Sequence, residues 1–409
     1  MKRSIKYQNY VVVSIVLTLV GIAVALGQFK IPSIMPAIME RFSMSLGSAS
    51  MLMSVFTLAG IFLSLPTGFL ARRFGCKNML VMAVVVMTCG TLVGMIATSG
   101  NMLIVSRAIE GVALVFCSVS GPLVLRKYVK PEKIGFASGV WSLWFSLGSF
   151  FGGVLTPGLY ETVGFSGTWL VFAAIVFMAG LVLFVYLRPV GGRFIEKVGY
   201  AAAHEVDEEV EEELAESKPI IRKLFTRNVV CVLLGFLTFN IVLISFLSFS
   251  PTFLQGEGMS PTLAGFASTL PMLIAIVSSV LFGVIADKTK RYKLLMVLSM
   301  VVLGPCAFVL LTNSGPALWV AACVLGVIGL GAPPMYLILY PAVVPDKRLL
   351  PVAMGFLVMT QSLGQFIGTL VMPLILEAGW IAAGVFVLVV GLAGTAILLF
   401  VKDPTKRAL

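Results

Sequence analysis

Residues 139–157, GVWSLWFSLGSFFGGVLTP, return 216 positions later as residues 355–373, GFLVMTQSLGQFIGTLVMP. Gly139 falls on Gly355, Ser146-Leu147-Gly148 on Ser362-Leu363-Gly364, Phe150 on Phe366, Gly152 on Gly368 and Pro157 on Pro373. Upstream the offset is 215: Pro36 falls on Pro251, Met44-Ser45 on Met259-Ser260, Gly68 on Gly283, Ser99-Gly100 on Ser314-Gly315 and Gly111 on Gly326. Glycine and serine are common in membrane helices, so isolated matches carry little weight. Here the matches keep their order across five successive apolar stretches, which common residues do not produce by coincidence. The chain therefore reads as two parallel copies of one unit, the build in which transporters place substrate near the bilayer midplane between the copies.

Working outward, apolar residues gather into twelve stretches at roughly 10–38, 47–71, 78–98, 101–125, 134–158, 165–187, 228–254, 262–286, 293–313, 316–343, 350–376 and 380–401. Each has the length, about 20 residues or more, that crosses a hydrocarbon core of roughly 30 Å at about 1.5 Å per residue. With 59% apolar and 11% charged residues, the composition excludes an ordinary soluble domain, in which roughly 25% are charged. The expected fold is an all-α membrane protein with twelve transmembrane helices in two pseudo-symmetric six-helix bundles. Residues 1–187 form the N-terminal bundle, 188–227 a cytoplasmic linker and 228–409 the C-terminal bundle.

A net charge of +11 could suggest nucleic acid, but 26 of the 29 Lys and Arg lie in the two tails and in alternate loops, leaving Lys30, Arg41 and Arg107. That distribution sets topology, since basic residues collect in cytoplasmic loops. Both termini are placed in the cytoplasm, and no nucleic-acid partner is implied. The first stretch follows a basic tail as a signal peptide would, yet it is too long and lacks a small-residue cleavage site before Gln28; it reads as a retained helix. The six cysteines are scattered without a Cys-x-x-Cys pair, which suits small packing residues rather than a metal or disulfide set. The acidic run from Glu205 to Glu216 reads as a solvated linker helix, with a cytoplasmic latch as the sharper option, and His204 beside it is not expected to carry protons.

The second stretch ends in Gly68-Phe-Leu-Ala-Arg72-Arg73-Phe-Gly75-Cys-Lys77 and the eighth in Gly283-Val-Ile-Ala-Asp287-Lys288. These resemble the G-x-x-x-D-R/K-x-G-R/K loop motif of the major facilitator superfamily. Leu103-x-x-x-Arg107-x-x-Glu110-Gly111 resembles its second motif, with Glu110 where Gln is usual. The resemblance covers essentially the whole chain and implies alternating access, with Arg72, Arg73, Asp287 and Lys288 in conformational gating. Arg72 stands where the family has Asp, so the charge-relay role falls to Asp287. Gly148-x-x-x-Gly152-Gly153 lacks the Gly-Pro pair typical of the drug/proton antiporters.

Three ionisable residues fall inside the spans, where each costs roughly 2.5–3.5 kcal/mol to insert and so invites a functional reading. Arg107 lies about 9 Å inside the end of the fourth span, Glu110 one turn deeper, and Lys30 about 12 Å deep in the first. At i,i+3 spacing Arg107 and Glu110 share a face and can pair. Their repeat partners are Ser245, Ala322 and Leu325, so the charge is confined to one half. The Arg107–Glu110 pair could simply fix its helix, and Lys30 could snorkel to the interface. As an anion site, Lys30 plus Arg107 minus Glu110 leaves one positive charge, and a guanidinium grips a planar anion through two parallel hydrogen bonds. Protonating Glu110 would free Arg107, coupling one proton to one anion. Anion-transporting members of the superfamily, such as organic anion and cyanate-nitrate porters, are similar in using basic residues on the first and fourth helices.

Neutral polar groups at matching depth complete the candidate substrate set: Gln28 beside Lys30, and Asn240, Gln361 and Gln365 in the opposite half. Trp141 and Trp144 could wall the cavity, Pro251 and Pro333-Pro334 are expected kinks, and Tyr336 and Tyr340 are candidates for an inner gate. No Gly-x-x-x-x-Gly-Lys-Ser/Thr stretch occurs, so nucleotide-driven transport finds no support. The sequence thus predicts a monomeric secondary transporter of the inner membrane, without cofactor, metal or enzyme activity, moving a small anion with protons. A drug/proton antiporter using Glu110 and a non-translocating sensor remain the alternatives.

Overall fold

The structure is a computed structural model that describes residues 8–187, 224–289, 291–345 and 350–402. The acidic run, His204 and most of the linker lie outside the described residues. Thirteen α-helices follow one another among those described. They are α1 (Tyr10–Phe29), α2 (Met35–Phe42), α3 (Leu46–Phe74), α4 (Cys76–Met95), α5 (Gly100–Tyr128), α6 (Ile134–Tyr186), α7 (Arg227–Gly256), α8 (Pro261–Thr289), α9 (Tyr292–Thr312), α10 (Pro316–Val327), α11 (Ala332–Val343), α12 (Leu350–Leu376) and α13 (Trp380–Leu399). Repeated serines in the sequence are helix caps. Ser45 Oγ accepts from the Ser48 N–H at the start of α3, and Ser260 Oγ from the Leu263 N–H at the start of α8, each satisfying an otherwise unpaired first-turn donor.

Among the described residues, eleven stretches of helix are long and apolar enough to cross a membrane, one of them being α6 with 53 residues. At about 1.5 Å per residue α6 is near 80 Å long, far more than one crossing needs. Gly164, with φ 70° and ψ −175°, interrupts it in a conformation open only to glycine. Along the first arm, Thr18 of α1 meets Val140, Gly21 meets Trp144, Ala25 meets Gly148 and Phe29 meets Gly152, so this arm runs with α1. Along the second arm, Trp169 meets Gly94 and Val84 meets Gly180, so that arm runs against α4. Both α1 and α4 run opposite to α5. The two arms are therefore antiparallel crossings, and the helices contain the twelve spans expected from the sequence.

Two expected spans are broken. The stretch 10–38 stops as an α-helix at Phe29, passes through a 3₁₀ turn at Pro32–Ile34 and resumes as α2. Pro32 has no N–H to return to the Gln28 carbonyl, which frees that group for another donor. The stretch 316–343 breaks at the 3₁₀ turn Gly329–Gly331, just before Pro333-Pro334. Pro251, an expected kink, lies within α7, which continues past it to Gly256.

The halves meet through α3 against α12 and the first arm of α6 against α8. Ser54 Oγ donates to Thr369 Oγ1 at 2.9 Å, while Gly60 accommodates Ser362 and Gly355 accommodates Leu65, giving an antiparallel seam. The second seam closes at the end away from the basic loops, where a Cβ on Gly265 would overlap the Gly153 carbonyl oxygen. Gln255 Nε2 reaches across that end to the Ser33 carbonyl at 3.0 Å. Gly265→Ala should wedge this closed end apart. In a cysteine-free background, Ser33→Cys, a fully buried position, should then label several-fold faster with a membrane-impermeant maleimide; labelling at the parental rate would show that the helices slide past the methyl group instead.

Candidate functional site

The site begins at the break in the first span. Arg107, on α5, points its guanidinium at the backbone there: Nη1 donates to the Gly27 carbonyl at 2.7 Å and Nη2 to the Gln28 carbonyl at 3.2 Å. Its Nε donates to the Leu52 carbonyl on α3 at 3.1 Å, and a second Nη1 bond reaches Glu110 Oε2 at 2.5 Å. Four of the five guanidinium N–H groups are matched in this way. The Phe56 ring lies 4.1 Å from the guanidinium carbon, shielding its face. Arg107 thus does for the broken helix what a C-terminal cap does, supplying donors to carbonyls that the helix itself leaves open.

Glu110 is held from the other side as well. Lys30 Nζ donates to its Oε1 at 2.5 Å, and Thr91 Oγ1 on α4 donates to the same oxygen at 2.7 Å. The Lys30 ammonium also sits 5.0 Å from the centre of a Trp169 ring on the second arm of α6. Gly90 makes the approach possible, because a Cβ there would lie 2.8 Å from Glu110 Cγ. Lys30, Arg107 and Glu110 are all fully buried, so Lys30 does not snorkel. Two cations and one carboxylate in a desolvated interior leave one net positive charge, and such charges persist only when paired and hydrogen-bonded.

All these contacts belong to the first half of the chain. Gln28 faces the other way: its Nε2 donates to Gln365 Oε1 at 3.3 Å across the interface between halves, leaving Gln28 Oε1 without a protein partner. Ser33, against Gly265 of the other half, and Ser245, against Gly368 within the second half, are fully buried with unpartnered hydroxyls, Ser245 being the repeat counterpart of Lys30. Of the polar residues matched by depth, Gln365 joins the site but Asn240 does not; its Nδ2 donates to the Phe236 carbonyl of its own helix at 2.8 Å, and its Cβ faces Gly364. Gln361 is half-buried on the face of α12 one turn from Gln365. Trp141 and Trp144 stack at 5.6 Å and fill the space left by Gly21 and Gly121 inside the first half.

The residues expected to act in gating lie toward the other end. Arg73 and Lys288 are exposed at the ends of α3 and α8, whereas the side chains of Arg72 and Asp287 in the same helices fall outside what the structure describes. Tyr336 and Tyr340 are fully buried on α11 with unpartnered hydroxyls, and Tyr336 packs 4.8 Å from the Phe236 ring. Sequence reasoning missed Thr91, Trp169, Phe56 and the three backbone carbonyls. Of these only the Gln28 carbonyl carried a signal, in the Gln28…Pro32 spacing that breaks the helix.

The sequence model of the Major Facilitator Superfamily matches residues 17–349 and 258–409. The chain belongs to this superfamily. The uncharacterized MFS-type transporter Rv1250 of Mycobacterium tuberculosis is 26% identical over 155 residues, 38% of this chain and 26% of that protein. The MFS-type transporter ppzB of Metarhizium rileyi is 26% identical over 118 residues, 29% of this chain and 24% of that protein. The matched region thus spans about a quarter of each curated relative. Among solved structures, a D-xylose–proton symporter superposes with a TM-score of 0.73 at 15% identity, covering 96% of this chain and 97% of the other. A POT family transporter in complex with a thioalcohol-conjugated peptide gives 0.73 at 14% identity, covering 94% and 95%. At such identities the likeness establishes a shared fold.

Proposed function

We propose that the protein is a secondary active transporter that moves a small organic or inorganic monoanion by alternating access, coupled to protons. The observation that carries this reading is the buried Lys30–Glu110–Arg107 cluster, with its single excess positive charge confined to one half. An arriving anion must take Lys30 or Arg107 from Glu110, and a proton on Glu110 releases them. Loading one proton and one monoanion together leaves the buried charge at +1, as before loading. Lys30 is the more readily released cation, since Arg107 is also tied to three carbonyls. Gln28 and Gln365 then offer neutral contacts at the seam, with Gln361 one turn along α12 from Gln365. Arg72, Arg73, Asp287, Lys288, Tyr336 and Tyr340 serve the conformational change. Because Glu110 is already held by two cations, the cluster offers no net negative charge to a lipophilic cation, which weighs against drug export.

In this reading, residues 1–187 and 228–409 are the two moving bundles, joined by 188–227, and the chain works as a monomer in the cytoplasmic membrane with both termini inside. The fold also accommodates proton coupling in the D-xylose–proton symporter. Proteoliposomes with an imposed pH gradient test the proposal directly against a panel of small carboxylates and inorganic monoanions. One of these should accumulate, and Lys30→Ala should weaken its binding by about 30-fold or more, the usual cost of removing one partner of a desolvated charge contact. A monodisperse Lys30→Ala protein that binds and accumulates the anion as the parent does would overturn the anion site.

A further inference from the structure

At the end of the bundle that carries the basic loops, three helix ends of the second half surround a cleft of about 700 Å³. Arg227 stands at the start of α7, Arg291 and Lys293 at the start of α9, and Lys402 just beyond α13. Among the described residues, no acidic side chain lines the cleft. The arrangement is fastened in place. Lys293 Nζ donates to the Leu399 carbonyl at 2.7 Å, the Lys402 N–H donates to Asn228 Oδ1 at 3.0 Å, and Asn228 Nδ2 returns a bond to the Lys402 carbonyl at 3.3 Å. The Arg227 guanidinium carbon lies 5.6 Å from the Phe400 ring centre.

We infer that this cleft binds the headgroup phosphate of an anionic phospholipid. The walls are amphipathic in the right sense: Leu294, Leu399 and Phe400, each more than half exposed, continue the apolar flank from which the basic residues rise. A phosphate meets the cations while the acyl chains cover these side chains. Basic pockets between helix ends on the cytoplasmic side attract anionic headgroups in this way. A zwitterionic lipid is the poorer occupant, because its ammonium would meet Arg227, Arg291, Lys293 and Lys402 and no described lining residue answers it. Helix architecture alone does not require the charges. The repeat-related positions in the first half are Val12, Cys76 and Asn78, with Tyr186 or Leu187 opposite Lys402, and none is ionised.

Native mass spectrometry of the full chain tests the inference with phosphatidylglycerol, phosphatidylethanolamine and inorganic phosphate as probes. Phosphatidylglycerol should be retained in preference to phosphatidylethanolamine, and Arg227→Gln/Arg291→Gln should weaken its binding about 30-fold, from roughly a factor of 5 per surface cation. Lys402→Gln, a single exposed change, should give a several-fold loss and serves as the second variant if the double one does not fold. Equal binding of both lipids, or undiminished phosphatidylglycerol binding in the variants, would refute the site. Two further outcomes also overturn it. Displacement by millimolar inorganic phosphate would identify a free-anion site, and lipid binding seen only after the acids between Glu205 and Glu216 are changed to Gln would make the chain's own acidic segment the occupant.

Discussion

Arg107→Ala is expected to abolish transport and to remove most of the monodisperse protein. The side chain holds Glu110 and the carbonyls of Gly27, Gln28 and Leu52 together, all out of contact with water. Breaking a buried ion pair from one side costs about 3–5 kcal/mol, and orphaned buried carbonyls add to that. Against a total stability of about 5–15 kcal/mol for a typical domain, the loss is severe. Arg107→Lys keeps the charge but replaces a fixed planar fork of five donors with a compact ammonium of three, so it should recover little. Melting temperature and the monodisperse fraction in detergent measure both variants. Parental stability in Arg107→Ala would mean that the break in the first span does not depend on the guanidinium.

Glu110→Gln acts in the opposite electrostatic sense. It leaves Lys30 and Arg107 facing each other with no counter-ion, two positive charges where there had been one, and a loss of about 3–5 kcal/mol is again expected. Adding Lys30→Met returns the interior to a single charge, so the double variant should regain much of the lost stability, a coupling measurable as a double-mutant cycle. In transport, Glu110→Gln stands permanently for the protonated carboxyl. It should bind and exchange the anion yet fail to accumulate it against a gradient when driven by protons. Full proton-driven accumulation in that variant would remove Glu110 from the coupling step while leaving its structural role intact.

The two bundles were legible because the repeat involves residues with fixed local jobs: Ser45 and Ser260 cap corresponding helices, and such positions survive at a constant offset. Charge in the membrane was legible too, since its cost makes Lys30, Arg107 and Glu110 conspicuous. What the sequence conveyed poorly was azimuth. Depth along a helix follows from residue number, but the direction a side chain faces depends on how the helix is rotated against its neighbours. Hence Asn240, well matched in depth, bonds to its own helix at Phe236, while Thr91, with no unusual feature in the sequence, completes the carboxylate's coordination. By contrast the fifth and sixth spans read as separate stretches and are separate crossings, parted at Gly164, whose φ of 70° breaks the helical run.

The interruption of the first span at Lys30 to Ile34 makes that segment two rods with a joint. On the near side of the joint, Arg107 grips the last carbonyls of α1. On the far side, Ser33 is tethered to Gln255 of the opposite half at the closed end. The group that answers the carboxylate is therefore the group that sets the joint's angle. On the proposed reading, a proton on Glu110 frees Lys30, the first residue of the joint, while Arg107 keeps its grip on the near rod, so occupancy of the site and the position of the far-end closure would share one mechanical coordinate.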